Sequence, residues 1–227
     1  MKARLGCSAV IAIVLALVAA VGYTGYAGTT VYRQLDSGRQ ELVAAQAGIG
    51  AAAQSGDPAQ LRAAAAQLRQ AERDFSDAAG RSRDDPALRV AGVMPVAGHN
   101  LDGVTHLAAI GADMSRAGQA AAAVGIAAAS LKQQYAGRNL TPEDLQTLLQ
   151  QAQGLARDYS ASIQAIGAQL RAAHAERAQV TTTDLIAPLK NAYDEVDSAL
   201  SDADTALLHY QDVKQLLSDF LGVRLPP

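Results

Sequence analysis

Between Asn100 and Tyr135 the chain carries two columns of small and apolar residues that repeat every seven positions. Leu107, Met114, Ala121, Ala128 and Tyr135 form one, and Ile110, Ala117, Val124 and Leu131 the other. Alternating steps of three and four residues put both on one face of an α-helix, as the a and d positions of a heptad. A third column, Gly111, Gly118 and Gly125, runs beside them and predicts close approach by a neighbouring backbone. No side chain from Ala117 to Leu131 is charged, so no face of this part prefers water. A helix apolar all round is expected to be enclosed by other helices. The stretch therefore predicts the central helix of a bundle.

Composition supports an all-α fold. Ala makes up about a fifth of the 227 residues, Trp is absent and there are 2 Phe, which suits long helices and is poor for a sheet. A formal charge of −3 leaves no basic footprint, so no nucleic-acid partner is expected. The single cysteine, Cys7, excludes an internal disulfide or a multi-cysteine zinc site. A buried alanine methyl removes little area from water. Stability is then expected to come from length and close helix approach.

The amino-terminal segment points to a membrane. Lys2 and Arg4 precede an uncharged run from Leu5 to Tyr32, whose core, Val10 to Val21, reads VIAIVLALVAAV. About 20 apolar residues cross a bilayer's hydrocarbon core as a helix. The preceding positive charges predict a cytoplasmic amino terminus and an extracytoplasmic body, a single-pass arrangement in the cell membrane. A cleaved signal peptide is the rival, with Gly25-Tyr26-Ala27 as a passable cleavage site. Cys7 lies before the apolar run, the wrong place for a lipoprotein cysteine, and reads as a passive membrane-edge residue.

The rest divides at its turn signals. Residues 1–32 form the cytoplasmic tip and transmembrane anchor, 33–80 a helical hairpin, 81–99 a Pro/Gly connector, 100–222 three long antiparallel helices and 223–227 a tail. In the hairpin, Leu35, Leu42 and Ile49 share one helix face and Leu61, Leu68 and Phe75 another. Gly56-Asp57-Pro58 ends the first helix and starts the second, with Asp57 as cap. The connector, with Pro86, Gly92, Pro95 and Gly98, is expected to be irregular. Its Val90, Val93, Met94 and Val96 are unusual for a loop and leave two readings, a buried connector or a segment resting on lipid headgroups. Thr141-Pro142-Glu143-Asp144 predicts a capping box opening a helix that runs to about Ala178. Thr181-Thr182-Thr183 interrupts it, and Asp184 is expected to begin the last helix. The strict seven-residue repeats predict left-handed coiling of these helices.

Candidate chemistry is sparse. His99, Asp102 and His106 share a helix face, with Asp113 seven residues further on, a set that offers imidazole and carboxylate donors but no identifiable fourth ligand. His174 and His209 are isolated, and Asp194, Glu195, Asp197, Asp202 and Asp204 are spread around one helix as a solvated face. No phosphate-cradling glycine loop or nucleophile elbow occurs. No residue is assigned a catalytic, cofactor-binding or metal-ligating role, and no cofactor is expected.

The anchor, the hairpin, the segment Val93-Met94-Pro95-Val96-Ala97-Gly98-His99-Asn100-Leu101 and the long Ala-rich helices together resemble a family of membrane-anchored bacterial proteins of unknown function. The family is common in GC-rich Gram-positive bacteria and has a Leu-Pro-Val-x-Gly-like segment between helices. Met94 stands where the family more often has Leu. The resemblance implies a helical stalk preceding a globular domain similar to cell-envelope phosphotransferases, with Leu216 to Gly222 as the junction. It covers the stalk alone and carries over no functional residues. The expected role is a stalk or protein-interaction module of the cell envelope, membrane-anchored and not an enzyme, with an envelope protein or a second copy as partner. The alternative is an extracytoplasmic ligand-sensing bundle working with a separate membrane partner.

Overall fold

A computed structural model describes residues 26–135 and 141–211. All regular structure among them is helical: α1 (Tyr26–Ser55), α2 (Pro58–Asp84), α3 (Pro86–Ala91), α4 (Pro95–Tyr135), α5 (Pro142–Asp158), α6 (Ser160–Gln179) and α7 (Ala187–Gln211). The apolar run at 10–21, Cys7 and the segment 212–227 lie outside the described residues, as does the side chain of His209. Among those described, no helix is long and apolar enough to cross a membrane.

Local chemistry sets most helix ends. Asp57 caps α2 by accepting from the Ala59 N–H at 2.8 Å, while Gly56, at φ 70°, supplies the left-handed residue that ends α1. At α5 the Thr141 hydroxyl accepts from Asp144 N at 3.2 Å, and the Asp144 carboxylate accepts from Thr141 N at 3.0 Å, a complete capping box. Pro142 occupies the first turn, where its missing N–H costs nothing.

Three expectations change. The segment 81–99 is mostly helical rather than irregular: α2 continues to Asp84, α3 fills Pro86–Ala91, and α4 begins at Pro95. Its prolines stand at first helical positions, where they start a helix instead of breaking one. Gly98 lies inside α4, and a Cβ there would run into the Gly92 carbonyl oxygen. The helix expected from Thr141 to Ala178 bends at Tyr159, whose φ −99° and ψ 5° fall outside the helical basin. The ladder persists across the bend, Tyr159 N donating to Leu155 O and Ile163 N to Tyr159 O. Beside it the Ser160 hydroxyl donates to the Arg157 carbonyl at 2.8 Å, a local bond that competes with straight helix. Finally, Asp184 takes φ 70° in the loop and does not open the last helix, which starts at Ala187.

The long helices are antiparallel to their sequence neighbours. Gly38 and Gly48 on α1 face Phe75 and Ala64 on α2, and Gly111, Gly118 and Gly125 on α4 face Phe75, Leu68 and Leu61. In the same sense, His106 on α4 meets Glu176 on α6, and Arg177 and His174 on α6 meet Asp197 and Asp204 on α7. The glycine column thus accepts large side chains from α2 rather than a bare backbone. Phe75, 2% exposed, lies between two glycines: a Cβ at Gly111 would stand 3.0 Å from its Cγ, and one at Gly38 would stand 3.2 Å from its Cε2.

This alternation places the start of α1, the end of α2, all of α3, the start of α4 and the loop 180–186 at one end of the molecule. The main core lies toward that end, where Val31, Leu35, Phe75, Leu88, Leu107, Ile110, Leu189, Val196 and Leu200 are buried together. Toward the other end coverage thins. Leu107 and Ile110 are fully enclosed, whereas Val124, Ala128 and Leu131 of the same columns are half-buried and Ala121 is exposed.

Candidate functional site

Two features stand out against this alanine-rich background: a polar cluster at the middle of α4 and a groove near its carboxyl end. The cluster is centred on Arg116. Its Nε donates to Glu72 Oε1 at 2.8 Å, Nη1 to Asp113 Oδ1 at 2.7 Å and Nη2 to Ser76 Oγ at 3.2 Å. Gln119 Nε2 donates to the other Glu72 oxygen at 2.7 Å, so α2 and α4 are joined by a fork of charge-assisted bonds. The planar guanidinium suits this work, since it presents several donors in fixed directions.

The two carboxylates respond in opposite ways. Burial pushes the Asp113 carboxyl above the usual aspartate range, and the nearby Glu176 and Glu72 charges push the same way; Arg116 opposes them without cancelling the effect. Burial also acts upward on Glu72, but hydrogen bonds from Gln119 and Arg116, with the Arg116 charge, hold it below the usual glutamate range. On the adjoining α6 face, His106 Nδ1 lies 2.6 Å from Glu176 Oε2, and the Arg177 guanidinium sits 5.0 Å over the Tyr193 ring while bonding Asp197 at 2.6 Å.

The histidine–carboxylate set read from the sequence does not assemble. His106 turns to Glu176, Asp113 turns to Arg116, and His99 and Asp102 are exposed. Among the described residues no group of three histidine, cysteine, aspartate or glutamate side chains is arranged to hold a metal ion. His174 pairs with Asp204 at 2.8 Å, and Asp194 and Asp202 are exposed. Arg116, Glu72 and Gln119 were not marked by spacing. The one signal for Arg116 is that it is the last charged residue before the uncharged half of α4.

The groove lies where α5 meets α4. Ala127, Leu131, Gln134, Gln151, Gly154, Leu155 and Asp158 line about 410 Å³ of open space. At its rim the Tyr135 hydroxyl donates to Gln151 at 2.9 Å. It is apolar along α4 and amide-rich at its edge, with no nucleophile or paired carboxylates facing each other across it. No protein-family model, curated protein or solved structure matches this chain.

Proposed function

We propose that the chain is a single-pass membrane protein whose helical body serves as a stalk or protein-interaction module of the cell envelope, without catalysis of its own. The observation that carries this reading is the incomplete cover of α4. From Ala117 to Leu131 the helix has no charge, yet Ala121 is exposed and Ala123 to Ala128 are only half-buried. A helix apolar all round asks for neighbours on every side. In this reading a partner helix supplies the missing cover, seated over small residues that let backbones come close.

Photo-crosslinking in cells tests it. A crosslinker at Ala121 should capture a discrete protein partner, while one at exposed Arg69, on the charged face of α2, should not. Equal yields at both positions, or none at either, would refute the reading. The ligand-sensing alternative rests on the α4–α5 groove. It predicts that filling the groove by Gly154→Leu changes signalling by a separate membrane protein while leaving the Ala121 crosslink intact. The groove is open, whereas small-molecule sites bury most of their ligand, and this favours the first reading.

A further inference from the structure

The end of the molecule where α1 begins carries an apolar tip. Val90, Val93 and Met94 are 73%, 83% and 56% exposed, on the last turn of α3 and the bend into α4. Ile186 is exposed at the same end, held there by Asn100, whose Oδ1 accepts from Ile186 N at 3.0 Å and whose Nδ2 donates to Asp184 O at 3.3 Å. Scattered single apolar residues on a surface are ordinary. Three within five positions at a turn are not, because water gains nothing from them and the core does not use them. Leu88, two residues before Val90, shows the contrast: it is buried with Val31 and Leu35 of α1.

That packing also fixes where the tip stands relative to the chain before α1. α3 packs directly on α1, and Leu88 and Val31 belong to one core, so the tip lies beside the first turns of α1, within about one helix diameter, roughly 10 Å. The apolar run ends at Val21 and α1 begins at Tyr26. Five residues, however arranged, span at most about 18 Å. A bilayer holding residues 10–21 therefore has its surface within about 18 Å of the start of α1, in reach of the tip. Exposed Arg81, Arg83 and Arg89 lie at this end with exposed Asp84 and Asp184, so the charges are mixed and the apolar side chains decide the preference.

We propose that Val90, Val93 and Met94 insert into the bilayer surface as a second, non-spanning contact, so that the body stands upright on the membrane instead of swinging on its anchor. The occupant of this patch is lipid, at the boundary between headgroups and acyl chains where apolar side chains of interfacial segments settle. The inference rests on the anchored reading above, and the two fail differently.

The full chain carrying Cys7→Ser and Met94→Cys, labelled with an environment-sensitive fluorophore, is reconstituted into phosphatidylcholine–phosphatidylglycerol vesicles. A second variant, Cys7→Ser with Ser55→Cys, places the label at the far end of α1, about 40 Å away at 1.5 Å per residue. The expected result is a blue-shifted emission at position 94, quenched several-fold more by spin-labelled lipid than the label at 55. Adding Val90→Ser and Val93→Ser should reverse the shift while the protein still floats with the vesicles. A label at 94 as wet as that at 55, in protein that floats, overturns the tip contact and leaves the anchor standing. Protein that does not float overturns both. A label at 94 shielded from water but untouched by spin-labelled lipid, together with disulfide-linked pairs through the cysteine at position 94 when the unlabelled variant is oxidised, would assign the patch to a second copy and refute the lipid contact.

Discussion

The seating of Phe75 between two helices makes a prediction about sign as well as size. Replacing glycine by alanine inside an open helix gains about 0.5–1 kcal/mol, because alanine loses less backbone entropy on folding. Gly50 and Gly80 meet nothing within 4 Å, so Gly50→Ala and Gly80→Ala should each stabilise by about that much. At Gly111 the same gain is opposed. The new methyl would stand 3.0–3.1 Å from Cγ, Cδ1 and Cδ2 of Phe75, and overpacking of this kind costs about 1–3 kcal/mol. The net for Gly111→Ala therefore runs from near neutral to about 2.5 kcal/mol of destabilisation.

Gly38→Ala closes the side of the ring toward α1, with its own Cβ 3.2–3.3 Å from three carbons of the same ring. The double variant should then lose more than the two single losses together, by about 0.5–3 kcal/mol. Phe75→Leu in the double background should recover part of that excess, since it shortens the group both methyls touch. Urea and thermal unfolding of the full chain in mild detergent, followed by far-ultraviolet circular dichroism, gives the comparison. For a chain of this length 1 kcal/mol corresponds to about 2–4 °C in Tm. A midpoint raised by Gly111→Ala as much as by Gly50→Ala, or strict additivity of Gly38→Ala and Gly111→Ala, would refute the sandwich.

Further predictions concern the caps and the polar cluster. Thr141→Ala removes one half of a reciprocal cap and should cost about 1 kcal/mol, read as faster hydrogen exchange confined to the first turns of α5. Asn100→Ala leaves the Ile186 N–H without its 3.0 Å partner and should speed exchange at that amide while amides in the middle of α4 keep their rates. Because the native Asp113 carboxyl lies above its ordinary range, the folded state holds that proton more tightly, and the stability this contributes at about pH 4 is lost as pH rises through the folded value. Glu72, held low, contributes stability above its ordinary range that is lost on acidification. Asp113→Asn should therefore remove a loss of urea midpoint that sets in above about pH 4, and Glu72→Gln should shrink the gain in midpoint between about pH 3 and 5; a pH profile unchanged by either substitution would contradict the corresponding shift.

The helices were legible because helical periodicity is a local property. Leu35, Leu68, Phe75, Leu107 and Ile110 lie on the face their spacing assigns and are buried there. The glycine column was legible as a place of close approach but not by what. The matching signal was present, since Leu61, Leu68 and Phe75 repeat with the same period on the helix before. Pairing the two columns required knowing the register of the hairpin. The connector is helical where its prolines and glycines predict irregular chain, because Pro86 and Pro95 stand where a helix needs no N–H. The bend at Tyr159 has no comparable cue. His106 with Glu176 and Arg116 with Glu72 escaped for one reason: spacing along a helix states which residues share a face and says nothing about what stands opposite.

The gradient of cover along α4 follows from the same chemistry. Alanine buries little area per residue, so an alanine-rich segment is enclosed only where several helices reach it at once. Near the tip α1, α2, α6 and α7 all contribute to the core around Leu107 and Ile110. Beyond the Arg116 cluster the cover comes from α2 on one side, through Leu68 and Leu61, and from α5 at an open groove on the other. Local opening should therefore be easiest from Ala121 to Leu131 and in α5, and hydrogen exchange there should be fastest among the long helices. A protein partner that completed the cover would slow exchange in this half of α4 alone. Slowing spread evenly from Val104 to Leu131 would mean instead that binding stabilises the whole bundle, and that the half-open face is not where the partner sits.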